Sequence, residues 1–93
     1  MTWFMSDNGA YMNTGIQRSS ATPMYADTTT TPVGKQSVGK MQNRKDLASI
    51  IADHDVAYVA QTTMTTDFKD LHRKSEKAIY TEGASFLNVM TPC

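Results

Sequence analysis

Three short apolar runs and two stretches of helical rhythm organise the chain. Thr2 to Ser6, holding Trp3, Phe4 and Met5, reads as a short buried strand beginning almost at the first residue, which implies that sequence precedes it. Val56 to Ala60 and Ser85 to Met90 are continuous apolar runs of strand length. Neither alternates cleanly, the pattern expected where both faces of a parallel sheet are covered. Between them Phe68, Leu71, Ala78 and Ile79 recur at helical spacing, with Lys69, Asp70, Arg73, Lys74 and Lys77 on the other face. Thr66 or Asp67 caps the start of that helix and Gly83 ends it. Leu47, Ile50 and Ile51 mark an earlier amphipathic helix beginning near Asn43 to Asp46, where the Asp46 carboxylate suits the positive end of the helix dipole.

The order strand, long loop, helix, strand, helix, strand predicts an α/β chain of about three parallel strands joined by right-handed crossovers. In such sheets ligands bind beyond the carboxyl ends of the strands. The segment "DNGAYMNTG", Asp7 to Gly15, occupies that position after the first strand.

Composition narrows the class without naming it. The 93 residues allow one small domain or part of one. Nine basic and nine acidic residues cancel, so no global field draws the chain to nucleic acid or an anionic membrane. The balance is uneven: from Arg18 to Lys45, five basic residues (Arg18, Lys35, Lys40, Arg44, Lys45) face the single acid Asp27, net +4. That stretch is either a solvated loop or an anion contact; an RNA contact is the weakest reading, because Tyr25 is its lone aromatic. No apolar run reaches the roughly 20 residues of a membrane span, and no secretory pattern opens the chain, so a cytoplasmic location without a membrane is expected. Cys93 is the sole cysteine, which excludes a disulfide within the chain.

Residues 17 to 43 have no period and contain two prolines, two glycines and four consecutive threonines. A stretch of that length is functional or disordered. Met24, Tyr25, Val33, Val38 and Met41 supply more apolar anchors than a linker needs, favouring a loop that covers a cofactor or meets another chain.

If a diphosphate binds beyond the first strand through magnesium, the ion needs about six oxygen ligands, several from phosphate and water. The neutral Asn8 amide oxygen completes such a shell without adding charge, and a carbonyl two residues later adds another if the chain reverses at Gly9. A plain Asx-Gly turn explains the same residues. His54, near a helix C-terminus, and His72, on a polar helix face, lack a partner for nucleophilic chemistry and read as structural or solvated. There is no phosphate-binding P-loop, zinc spacing or serine-hydrolase elbow.

Taken together, "DNGAYMNTGIQRSSATP", "KDLASI", "AYVAQTT" and "SFLNVMTPC" closely resemble the β subunit of pyruvate:ferredoxin oxidoreductases and related 2-oxoacid:ferredoxin oxidoreductases, over essentially all 93 residues. The resemblance implies that residues 1–93 are the C-terminal portion of a thiamine diphosphate-binding domain, with the long loop 17–43. The family's Gly-Asp-Gly segment and its magnesium-binding aspartate would lie upstream of Met1. Asn8 would be the side-chain magnesium ligand and Ala10 would offer its carbonyl oxygen. Asn8, Gly9, Ala10, Tyr11, Met12 and Asn13 would wrap the cofactor, and Asn13 would stand near the thiazolium ring and the substrate carboxylate as the catalytic amide. Thr14 and Gly15 continue the loop without a chemical role, and Asp7 shapes the turn. Cys93, in "TPC", would be one ligand of a [4Fe–4S] cluster whose other three thiolates lie elsewhere.

By the same resemblance the intact enzyme decarboxylates pyruvate, passes the acyl group to coenzyme A and sends electrons through iron–sulfur clusters to ferredoxin. Its partners would be the other subunits or domains of the oxidoreductase, ferredoxin, pyruvate and coenzyme A. The alternative is a non-catalytic fragment or partner-binding module, since three strands and two helices leave apolar sheet surface for another chain to cover.

Overall fold

The computed structural model describes residues 1–92. They divide into two compact units, one formed by Met1–Asp7 with residues 46–92, the other by residues 8–45. The first unit carries all regular secondary structure: β1 Thr2–Asp7, α1 Leu47–Ala52, β2 Tyr58–Thr63, α2 Phe68–Tyr80 and β3 Ser85–Met90. The strands form one parallel sheet in the order β1-β3-β2, so the last strand is the central one.

Centrality explains the apolar run "SFLNVM". Ser85 to Val89 are all buried, because β3 has a strand on each side and a helix over each face. Thr2 and Tyr58 both stand opposite Ser85, and this common register puts Phe4, Leu87 and Ala60 on one face of the pleat. α2 covers that face. Its Ala78 carbonyl accepts from Ser85 Oγ at 2.7 Å and from Thr2 Oγ1 at 3.2 Å, an approach that the fully buried Ala78 methyl permits. Trp3, Met5 and Phe86 belong to the opposite face, where they line an apolar hollow with Leu47 and Ile51 of α1.

The helix ends follow from local chemistry. Asp67 caps α2 by accepting from the Asp70 amide at 3.0 Å, and Lys77 occupies the last turn, where a cation suits the dipole. The Lys77 ammonium also lies 5.2 Å from the centre of the Tyr58 ring, linking α2 to β2 by a cation–π contact. Asp46 caps α1, accepting from the Ser49 amide at 3.1 Å and its hydroxyl at 2.7 Å. The Ser49 hydroxyl, then its amide, hold the Asp46 carboxyl below the usual range.

Two strands differ from the sequence reading. Among the described residues β1 pairs with β3 alone and stands at the sheet edge, so Trp3, Phe4 and Met5, read as buried, are exposed. β2 begins two residues later than Val56 and runs on through the polar Gln61-Thr62-Thr63. Asp55 takes a positive φ of 59°, so Val56 and Ala57 complete the connection. The threonines extend the strand because their hydroxyls find partners, Thr62 the Asp70 carboxylate at 2.7 Å and Thr63 the Met90 carbonyl at 3.2 Å.

Candidate loop site at residues 8 to 17

The second unit begins where β1 ends. Asp7, the last strand residue, is buried and its carbonyl accepts from the Thr91 amide at 2.9 Å. The chain then reverses at Gly9 with φ +83°, a conformation that glycine adopts without steric cost. Asn8 folds over this reversal, its Oδ1 3.5 Å from the Ala10 amide. No other atom comes within 4 Å of where a Gly9 side chain would begin, so the turn has open space beside it.

A narrow hairpin follows. Tyr11 and Gln17 exchange backbone hydrogen bonds of 2.9 and 3.0 Å, and the Met12 carbonyl accepts from both Gly15 and Ile16 at 3.2 Å. Positive φ at Gly15 and Ile16 closes the turn. Asn13 and Thr14 therefore sit exposed at its tip. The Thr14 hydroxyl donates inward, to the Tyr11 carbonyl at 3.4 Å and Gln17 Oε1 at 3.2 Å.

The remainder of the loop braces this hairpin. Thr29 donates its amide to the Ile16 carbonyl at 2.9 Å and its hydroxyl to the Gly15 carbonyl at 2.7 Å. Thr30 Oγ1 accepts from the Arg18 amide at 3.0 Å, and the Thr28 and Thr31 hydroxyls meet at 2.6 Å. The four threonines are thus a set of side-chain partners for loop backbone. Hydrogen bonds tie residues 17 to 43 to one another and to the hairpin.

Beneath the loop lie two buried polar side chains, Thr22 and Lys40. Thr22 Oγ1 donates to the Gly9 carbonyl and accepts from the Ser19 amide at 2.9 Å. Lys40 Nζ donates to the Thr22 carbonyl and, at 3.4 Å, to that of Ser20. Burial lowers the Lys40 pKa from its ordinary value, and the nearby charges of Arg18 and Arg44 lower it further. Lys40 reaches this position because Gly39, at φ +86°, presses its α-carbon against the Tyr25 and Ala26 carbonyls; a β-carbon would stand 2.7 Å from each oxygen.

The structure thus gathers the residues expected to wrap a cofactor, Asn8 to Asn13, into one reversal and one hairpin. Asn8, Tyr11 and Asn13 are exposed, whereas Gly9, Ala10 and Met12 are half-buried. The Asn8 amide oxygen and Ala10 carbonyl are neutral oxygens two residues apart across an open reversal, a donor set of the kind magnesium accepts beside a diphosphate. Among the described residues no three His, Cys, Asp or Glu side chains gather, and Cys93, expected as one ligand of an iron–sulfur cluster completed from elsewhere, lies outside them. His54 Nδ1 lies 2.9 Å from the Ile50 carbonyl, and His72 lies 3.7 Å from Glu76 in an exposed pair. The sequence reading passed over Thr22 and took Lys40 only as one charge among five.

A parallel α/β unit whose first strand leads into a glycine-reversed, internally braced loop is the frame of a sheet protein that binds ligands at strand ends. Comparison with known proteins then identifies the family. Residues 1–89 match the family described as thiamine pyrophosphate enzyme, C-terminal TPP binding domain, and the chain belongs to it. It is 46% identical over 91 residues to pyruvate synthase subunit PorB of Methanocaldococcus jannaschii, covering 98% of this chain and 30% of that one. The PorB subunit of Thermotoga maritima is 45% identical over 91 residues, covering 98% of this chain and 28% of that subunit. The beta subunit of the NADH-dependent phenylglyoxylate dehydrogenase of Aromatoleum evansii is 48% identical over 95 residues, covering 100% of this chain and 21% of that subunit. The chain therefore spans under a third of the length of these curated relatives.

Proposed function

We propose that this chain is the cofactor-loop portion of a 2-oxoacid oxidoreductase subunit, with pyruvate as substrate and thiamine diphosphate held through Mg2+. The observation that supports the reading is the chain reversal at Gly9, φ +83°, which sets the Asn8 amide oxygen and the Ala10 carbonyl on either side of one glycine within a chain of the thiamine pyrophosphate enzyme family. Thiamine diphosphate, when bound, supplies a nucleophilic carbon for the 2-oxo group and an electron sink for the departing carboxylate. The residues of this chain bind and orient. Asn8 and the Ala10 carbonyl hold the cation, Tyr11 and Met12 pack along the cofactor, and the exposed Asn13 amide donates to negative charge developing on the substrate.

Pyruvate is favoured because the resemblance of "YMNTGIQRSSATP" is greatest to pyruvate enzymes. The segment does not hold the whole substrate pocket, and the identity to a phenylglyoxylate dehydrogenase subunit is similar. In the whole enzyme Cys93 would be one of four thiolate ligands of a [4Fe–4S] cluster, which would supply electron transfer towards ferredoxin, with coenzyme A as acyl acceptor and other subunits completing the assembly. Calorimetric titration of the intact subunit with thiamine diphosphate and Mg2+ tests the reading. Binding that is lost on Asn8→Ala is expected; an intact subunit that takes up no thiamine diphosphate would sink it. A partner-binding fragment without cofactor would then be the remaining account, supported by the exposed Trp3, Phe4 and Met5 edge.

A further inference from the structure

The geometry points to Thr22 and Lys40 as positioning residues that set the Asn8-to-Ala10 reversal for the cation, an inference that rests on the cofactor reading above. Neither residue reaches open solvent, so neither touches a ligand: Thr22 retains 2% of its surface and Lys40 1%. Their contacts run in one direction. Lys40 Nζ donates to the Thr22 carbonyl, and Thr22 Oγ1 donates to the Gly9 carbonyl, the peptide oxygen between the two proposed cation donors.

Gly9 makes this arrangement necessary. A glycine reversal has the widest conformational freedom of any turn, so the direction in which the Ala10 carbonyl points is poorly specified by the turn itself. Fixing the neighbouring Gly9 carbonyl removes one of the rotations that would let the Ala10 carbonyl wander. The Thr22 hydroxyl is suited to this because its orientation is fixed in turn by the Ser19 amide, which it accepts at 2.9 Å. Thr22 sits thirteen residues beyond Gly9, so the contact is a tertiary one that no local turn preference supplies. Burying a lysine is costly unless its ammonium is hydrogen-bonded, and Lys40 meets carbonyls instead of a carboxylate. It adds a cation beneath the peptide chain that carries Thr22 and so restrains the carbonyl at that end of the link.

The test uses the intact subunit in its assembly, with three variants. Thr22→Val keeps the shape and removes the donor; Thr22→Ser keeps the donor; Lys40→Gln removes the cation while leaving Thr22 in place. Two readouts are taken: Mg2+ affinity in the presence of thiamine diphosphate, by calorimetry, and amide exchange at Tyr11 and Gln17 in the cofactor-free protein. Thr22→Val is expected to weaken Mg2+ binding about tenfold, the effect of one buried hydrogen bond, and to speed exchange at both amides. Thr22→Ser is expected to restore both within about twofold, and Lys40→Gln to weaken binding about threefold.

Wild-type Mg2+ affinity in folded Thr22→Val, or a folded Thr22→Ser that fails to restore binding, overturns the assignment. Should Thr22→Val fail to fold, Lys40→Gln decides: unchanged affinity and exchange overturn it, and a loss in both supports it. If the wild-type subunit binds no thiamine diphosphate, the cofactor reading itself fails and takes the cation-positioning role with it. The exchange readout separates the cases, because accelerated exchange in Thr22→Val would still locate the link between Thr22 and the hairpin.

Discussion

The Thr62 hydroxyl donates a 2.7 Å hydrogen bond to the Asp70 carboxylate, joining the polar end of β2 to the first turn of α2. Lys74 completes the arrangement, its ammonium 2.9 Å from the same carboxylate and 2.8 Å from the Gln61 carbonyl. One acid therefore docks a helix on a strand whose sequence is too polar to be held by apolar contact alone.

This docking is sensitive to acid. The Thr62 hydroxyl, followed by Lys74, holds the Asp70 carboxyl below the usual carboxylate range. A group whose folded pKa is depressed contributes stability that is present above its unfolded pKa, about 3.9, and lost as pH falls through the folded value. Thr62→Val is expected to lower the thermal midpoint at pH 7, with the difference from wild type shrinking as pH falls below about 4. Thermal unfolding monitored by circular dichroism from pH 3 to 7 measures it; a difference constant across that range would refute the linkage.

Asn88 presents the opposite case. It is buried in the central strand, and among the described residues its Oδ1 is the buried side-chain oxygen without a hydrogen-bond partner; its Nδ2 makes only a 3.4 Å contact with Gln61 Oε1. An unsatisfied buried acceptor costs about 1–3 kcal/mol, so Asn88→Leu, similar in size, is expected to raise stability by about 1 kcal/mol. Urea unfolding of both proteins is the check, and a destabilised variant would mean that the oxygen is satisfied by a water or ligand group.

Gly39 is required by contact as well as by conformation. Gly39→Ala places a methyl 2.7 Å from the Tyr25 and Ala26 carbonyl oxygens at a φ of +86°, and is expected to destabilise the loop by about 2 kcal/mol or more. Gly34, with nothing within 4 Å and no positive φ, is the control: Gly34→Ala is expected to be nearly neutral. Exchange protection at the Tyr25 and Lys40 amides, both bonded across this crossing, distinguishes the two.

Lys40 gives the loop a second pH dependence, of opposite range. Burial disfavours its charged form, so the folded chain releases this proton more readily than the unfolded one. Loop stability is accordingly expected to rise as pH increases through the folded pKa towards about 10.4, where the unfolded lysine also loses its charge. Lys40→Met is expected to abolish that rise. Exchange of the loop amides, corrected for the intrinsic effect of pH, reads the difference between pH 8 and 10.

Much of this was legible without coordinates. The helical spacing and the Asp67 cap marked α2 because both are local matters, although Phe68 and Ile79, read as part of its apolar face, are exposed and Ala78 is the residue it buries. Parallel strands followed from the alternation of strand and helix. Gly9 marked the reversal, whereas the hairpin closed by Gly15 was not read, and the resemblance carried by those residues pointed to the family that the chain belongs to.

What the tertiary structure decided depends on neighbours distant in sequence. "TWFMS" and "SFLNV" are similar apolar runs, yet one is an exposed edge and the other the buried centre, because strand order is a property of the sheet and not of either strand. Lys40 is indistinguishable in sequence from Lys35, but Gly39 turns it under the loop, where the Ser20 and Thr22 carbonyls receive its ammonium. The sequence by itself determined the helices and the reversal at Gly9. Only folding determined which polar side chains would be buried to hold that reversal, since burial is set by contacts that close across the chain.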